Sequence, residues 1–261
     1  MTPKDIFSGT MHRVDSLLKL YDLLCNTRRR GTRADWSRRF KTLMHWPQKE
    51  SIHRIDGQDA ILILRQSSGI TPARFSHEEL SEVLRAALTT AVAALDRYCH
   101  EVLLSRIMKQ TRKAESKWPK ELQKISIPLG KAKAAIKHAG VRKGKGGKIR
   151  SRPMNMIRHV LQEQFHRDTL QRPDDIARAL SMIGVKGPWN ECGKALNLPA
   201  EKVKQRLNTI IDRRNRIVHE GDIKRFRRGG NVTLNPITAV EIKADVEWLK
   251  KLVAAIDGIL P

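Results

Sequence analysis

Asp212-Arg213-Arg214-Asn215-Arg216-Ile217-Val218-His219-Glu220-Gly221 places an arginine where a helix should bury only hydrocarbon. Leading into it and through it, Val203, Leu207, Ile210, Ile211, Ile217 and Val218 recur at helical spacing and, at about 100° per residue, fall on one face. Arg214 lies near the middle of that apolar stripe. His219 lies about 140° round the wheel from Arg214, on the polar side with Asp212, Asn215 and Arg216, and Gly221 reads as the helix end. An inward guanidinium costs on the order of several kcal/mol unless an acid or a phosphate meets it. The stretch therefore predicts a bundle helix carrying a cation that must have a partner. Two partners are open. An acid within the bundle would make Arg214 a structural ion pair and His219 a helix-end residue; a bound phosphate would make both functional.

Working outward, Ser76-His77-Glu78-Glu79 is a capping box, and the helix it opens carries Leu80, Leu84, Leu88, Val92, Leu95, Tyr98, Val102 and Ile107 on one face. It is the best specified element of the chain. Asp96 and His100 stand one turn apart on the edge of that face. Further helices are expected at about 10–26, 36–46, 129–138, 154–170 and 174–183, the signature helix follows Pro199, and a last one follows Pro236 with Val240, Val246, Leu249, Leu252, Val253 and Ile256 inward. Ala60-Ile61-Leu62-Ile63-Leu64 is too short to type by periodicity, being a buried strand or a helix turn, and is assigned to helix. The reading is an all-α bundle with a boundary at Ser68–Pro72. That gives a mostly helical N-terminal extension, 1–70, and a helical domain, 71–261.

The 51 Lys and Arg against 27 Asp and Glu, for a formal net charge of +24, make a polyanionic partner the first expectation, because each phosphate neutralised releases condensed counterion. Nucleic acid fits better than membrane. No apolar run approaches the roughly 20 residues of a membrane span, and the opening Met1-Thr2-Pro3-Lys4-Asp5 has no signal-peptide character, so a cytoplasmic location is expected. Cys25, Cys99 and Cys192 are too far apart to form a metal-ligand pair, and the nine histidines lack an acid or thiol cluster, so no metal or other cofactor is expected. The glycine- and lysine-rich run from Val141 to Pro153 is not a nucleotide-binding loop, since Ile149 follows Lys148 where Ser or Thr should bind magnesium and no apolar strand precedes it. It reads as a solvated linker or an arm on RNA backbone.

Arginine, asparagine, three residues and histidine, as Arg214, Asn215 and His219 stand here, resemble the Arg-x4-His signature of HEPN domains, helical proteins many of which are metal-independent ribonucleases. Ala94-Leu95-Asp96-Arg97-Tyr98-Cys99-His100-Glu101 is similar to the first core helix of the bacterial RiboL-PSP-HEPN subgroup, and the resemblance covers roughly Ser76 to the C-terminus. Arg39 with His45 and Arg152 with His159 also fit an arginine-to-histidine spacing; the long amphipathic helix and Asn215 set Arg214 and His219 apart. The resemblance implies a HEPN-like helical bundle and a homodimer whose signature motifs face each other. It further implies cleavage of RNA by its own 2′-hydroxyl, giving 2′,3′-cyclic phosphate and 5′-hydroxyl ends. Arg214, His219 and Asn215 would be catalytic, and Asp96 or His100 would hold Arg214. Arg213, Arg216, Lys224, Arg225, Arg227 and Arg228 would track the backbone. A toxin or phage-defence role on tRNA or other cellular RNA follows, with an antitoxin or regulatory partner. The competing expectations are a non-catalytic RNA-binding or scaffold HEPN protein and a helical DNA-binding regulator, whose helix-turn-helix would fall between Ile176 and Arg206.

Overall fold

The long helix opened by the capping box is α3, His77–Gln110, whose 34 residues span about 51 Å. In the computed structural model, which describes residues 2–25, 27–57, 59–133, 153–166, 168–224 and 233–261, it is joined by α1 (Pro3–Cys25), α2 (Ala34–Leu43), α4 (Lys120–Gln123), α5 (Pro153–Phe165), α6 (Pro173–Met182), α7 (Pro188–Leu196), α8 (Ala200–Glu220) and α9 (Ala239–Gly258). The class is all-α, as expected. Strands β1 (Arg28–Arg30), β2 (Ile52–Asp56) and β3 (Ile61–Arg65) form one small antiparallel sheet in that order. The arm up to Arg152, and the part of the 129–138 helix after Lys133, lie outside the described residues.

Helix starts follow their caps. Ser76 Oγ accepts from the Glu79 N–H at 3.3 Å, but Glu79 does not reach back: its carboxylate pairs with Arg74 at 3.0 Å. α1 begins earlier than periodicity suggests because Thr2 Oγ1 accepts from the Asp5 N–H at 3.2 Å while Asp5 accepts from the Thr2 N–H at 2.6 Å, with Pro3 in the first turn. Those bonds hold the Asp5 carboxyl below its ordinary range, the Thr2 backbone N–H contributing most. At the other end of the chain, Thr238 caps α9 by accepting from the Glu241 N–H at 3.2 Å.

One expectation fails outright. Ile61–Leu64 is not helical: it is the core of β3, which pairs with β2 from Asp56↔Ile61 to Ile52↔Arg65. Gly57 closes the hairpin, its N–H donating to Ala60 O at 2.8 Å, and the β-branched Ile61 and Ile63 favour the strand once a partner ladder exists. The N-terminal stretch is therefore part sheet. Val240 also departs from expectation, being 81% exposed; it sits about 120° round α9 from buried Val246.

Contacts divide the chain into two compact units. One comprises Met1–Met11, Ala91–Arg216 and Glu247–Pro261; the other comprises His12–Thr90 and Ile217–Val246. In the first, Leu95, Ile107, Ile176, Ile183, Leu207, Ile210, Leu249 and Leu252 are core residues, and Tyr98 meets Phe7 edge-on while its hydroxyl donates to Asp257 at 3.0 Å. Burial, with the Asp257 charge behind it, raises the Tyr98 pKa far above that of an ordinary phenol. The second is built on Val14, Leu18, Tyr21, Leu84, Leu88, Ile237, Ile242 and Val246, with Lys243 paired to Asp22 at 2.6 Å. Among the described residues no helix is long and apolar enough to cross a membrane.

Candidate active site

α8 carries the signature. Its Val203, Leu207, Ile210 and Ile211 are buried, so the stripe anticipated from spacing is the packed face over those turns. The stripe does not stay covered: Ile217 is half-buried and Val218 is 46% exposed in the last turn. Arg214 is half-buried. One of its terminal nitrogens donates to the Asn215 side-chain oxygen at 3.0 Å, whereas its Nε is buried without an acceptor, and no carboxylate pairs with it among the described residues. A buried N–H without an acceptor is costly, so this guanidinium is held short of its full set of bonds. His219 and Arg216 are exposed, and Arg213 and Asn215 are half-buried.

The end of α8 is fixed by a residue that spacing did not reveal. Gly221 and Asp222 take left-handed backbone conformations, φ 61° and 54°, which stop the helix directly after Glu220. Asp222 is fully buried, as is Arg85 of α3 at 4% exposure. The Arg85 Nε donates to Asp222 Oδ2 at 2.8 Å, one terminal nitrogen donates to Ser81 Oγ at 2.5 Å and Glu82 at 3.1 Å, and the other donates to the Asn235 carbonyl at 2.9 Å. Asn235 in turn donates from its side chain to Asp222 Oδ1 at 3.2 Å. Three residues after His219, the chain is thus clamped to the first turns of α3. The available signal was Arg85 itself, which lies at helical spacing from the buried Ser81, Leu88 and Val92.

Asp96 does not hold Arg214, contrary to expectation. Its Oδ1 accepts from the Leu170 backbone N–H at 2.7 Å and stands 3.8 Å from His100 Nε2. Two residues on, Arg172 pairs with Asp212 of α8 at 3.0 Å. The segment before α6 is therefore tied to α3 by Asp96 and to α8 by Asp212. Asp96 and His100, with Arg97, Glu101, His166 and Asp168, line a cleft of about 400 Å³ floored by Leu104 and Phe165, and Arg214 is not among its walls. What the structure brings together are two sets: Arg214 with Asn215, and Asp96 with His100.

A family profile described as RiboL-PSP-HEPN matches residues 58–261. The chain belongs to that family. No curated protein and no solved structure matches it. Membership of the HEPN family indicates a nuclease or RNA-related function. The match begins inside the β2–β3 turn and takes in both signature segments, Asp96–His100 and Arg214–His219. In this RiboL-PSP-HEPN chain the second basic cluster is only partly described. Lys224 is exposed, its N–H donating to Thr233 O at 2.8 Å, while Arg225, Arg227 and Arg228 lie outside the described residues. Among the described residues no group of three or more His, Cys, Asp or Glu is placed to hold a metal ion. Cys99 and Cys192 are buried and Cys25 is half-buried, all three as free thiols. Burial pushes the Cys192 thiol up to about 11, with Glu191 adding to it, and pushes Cys99 higher still.

Proposed function

We propose that this chain is a metal-independent endoribonuclease in which Arg214, Asn215 and His219 act on the scissile phosphate. The observation that carries this reading is the Arg214 guanidinium, half-buried on a packed helix with no carboxylate partner among the described residues and with a buried Nε that has no acceptor. A phosphate supplies the missing negative charge, its oxygens accepting from the terminal N–H groups of the half-buried fork. In the step itself the RNA 2′-oxygen attacks the adjacent phosphorus and the bond to the 5′-oxygen breaks. The 2′-hydroxyl proton passes to a base and a proton returns to the leaving oxygen, leaving a 2′,3′-cyclic phosphate and a 5′-hydroxyl. Arginine stabilises the charge building on the non-bridging oxygens, and histidine serves either proton role near neutral pH. Asn215, bonded to Arg214, positions the fork.

One histidine cannot act at both ends of the same step, and α8 directs Arg214 and His219 about 140° apart. Both facts favour a homodimer that presents two copies of each side chain to one groove. Val218, Ile223 and Leu234, apolar yet exposed in the compact unit that holds His219, suit such a contact. A toxin or phage-defence role, with tRNA among the substrates and a regulatory partner, accords with this chemistry.

A non-catalytic RNA-binding protein is the second reading, favoured by the exposure of His219, which makes no oriented hydrogen bond among the described residues. The test is incubation with total RNA in excess EDTA, followed by end-group analysis. Cleavage that persists under chelation, falls by about two to four orders of magnitude in His219→Ala and falls comparably in Arg214→Ala supports the nuclease. RNA retarded but uncut by the parent chain overturns it in favour of the binder, and preferential retention of duplex DNA overturns both.

A further inference from the structure

Residues 28–65, most of them upstream of the family match, have no assigned task. They hold ten Lys and Arg against four Asp and Glu, and three of those acids, Asp35, Glu50 and Asp56, are already engaged. Asp56 pairs with Arg54 at 2.6 Å and Arg30 at 3.9 Å, Asp35 faces Arg38 at 3.6 Å, and the Glu50 carboxylate accepts from the Ser67 N–H at 2.8 Å. Arg28, Arg33, Arg39, Lys49 and Arg65 are exposed and form no salt bridge among the described residues.

Alongside these cations runs a row of aromatic rings. Trp36 stacks on Phe40 at 5.1 Å and 14°, Phe40 meets Trp46 edge-on at 5.6 Å, and the Arg65 guanidinium lies over Trp46 at 5.1 Å. A core is not what this row builds: α2 buries no residue, Trp36 is 36% exposed and Leu43 is 74% exposed. An arginine stacked on an indole has its fork ordered in advance while its N–H edges stay available, which lowers the entropy cost of clamping a phosphate. Partly exposed rings, Trp36 the most open and Phe40 and Trp46 half-buried, beside ordered cations are what a single strand needs, the cations following phosphates and accessible ring edges and faces receiving unpaired bases.

We propose that the α2 and β1–β3 surface is an RNA-docking platform, separate from the signature helix, that grips single-stranded substrate without reading its sequence. Charge complementarity selects the occupant: with ten cations against four acids, three of them already engaged, the face carries surplus positive charge and suits a polyanion. The inference shares with the proposed function only that RNA is the partner, and does not depend on cleavage.

The experiment measures binding of a short fluorescein-labelled single-stranded oligoribonucleotide to the full chain by anisotropy, across a salt series, in a His219→Ala background so that the RNA persists. Arg33→Gln, Arg39→Gln and Arg65→Gln together remove three phosphate contacts. The expected result is affinity weakened at least tenfold and a slope of log K against log salt that is shallower by about 2, at about 0.7 per single-strand phosphate. The same three positions changed to Lys keep the slope, which shows that charge and not folding is being read. An unchanged affinity and slope in the Gln variant overturns the platform. So does loss of self-association in sedimentation with RNA binding intact, which would make this face a contact between copies. Cleavage by the parent chain is assayed separately: a platform that binds in a chain that never cuts sinks the nuclease alone, and a chain that cuts with a platform that does not bind sinks the platform alone.

Discussion

Arg85 and Arg214 both interrupt apolar helix faces, and they are built differently. Arg85 has a buried carboxylate, a serine hydroxyl, a glutamate and a backbone carbonyl arranged around its fork, and it is 4% exposed. Arg214 has one asparagine oxygen, a buried Nε with no acceptor, and partial access to solvent. A structural cation is recognised by satisfied donors. A cation kept for a ligand is recognised by donors held in place and left over. Both lie on helices that carry the family's signature segments, and under the proposed function Arg214 is the one kept for a ligand.

The largest expected effect tests the first half of that contrast. Arg85→Ala leaves Asp222 as a buried charge with its main counter-ion gone, and should cost about 3–5 kcal/mol of stability in urea unfolding. Adding Asp222→Ala should recover part of the loss, because the remaining charge is removed with its partner. Arg214→Ala should behave in the opposite way. Its unfolding free energy should stay within about 1 kcal/mol of the parent, while RNA cleavage drops by about 100- to 1000-fold, the range for losing one donor to a developing oxyanion. If Arg214→Ala unfolds the protein as Arg85→Ala does, the contrast is wrong and Arg214 is structural.

Asp96 offers an intermediate case. The family resemblance put it forward, with His100 as the alternative, as the residue that would hold Arg214, whereas its oxygen holds the Leu170 N–H. Asp96→Ala should therefore cost about 1–2 kcal/mol of stability, the value of a partly exposed hydrogen bond to a charged group. Cleavage per folded molecule should fall much less than in Arg214→Ala. A loss of cleavage equal to that of Arg214→Ala would place Asp96 in the reaction after all.

What could be read without coordinates was what periodicity and local chemistry encode. The α3 stripe, the Ser76 cap, the packed face of α8 and its stop at Gly221 all follow from spacings of three or four residues or from a single residue type. What escaped depends on partners distant in sequence. Ile61–Leu64 became a strand because β2 lies ready to pair with it, and no count of apolar residues within the run contains that information. Arg85 meets Asp222, 137 residues away, and Asp96 meets a backbone N–H, which has no side-chain identity to search for. Val218 failed for a third reason: the wheel assigns a direction to each side chain, but cover depends on where the neighbouring elements end.

The smallest effect concerns the buried thiols of the unit that contains Arg214, and it sharpens the contrast without measuring cleavage. Cys99 and Cys192 both lie within Ala91–Arg216. Burial raises both, Cys192 to about 11, so at pH 8 about one Cys192 in a thousand is thiolate, the reactive form. Iodoacetamide at pH 8 should label half-buried Cys25 first and leave the other two slow. The sign of the linkage follows from the raised values. The folded state holds these protons more tightly than the unfolded chain, so their stabilisation is complete below the unfolded thiol pKa of about 8.5. It is lost as pH rises from there toward about 11 for Cys192, and the unfolding free energy should decline across that window. Arg214→Ala should leave the slow labelling of Cys99 and Cys192 unchanged, because a cation reserved for a ligand does not hold the core shut. Rapid labelling of either thiol in that variant would show that the core had depended on Arg214, as the end of α8 depends on Arg85.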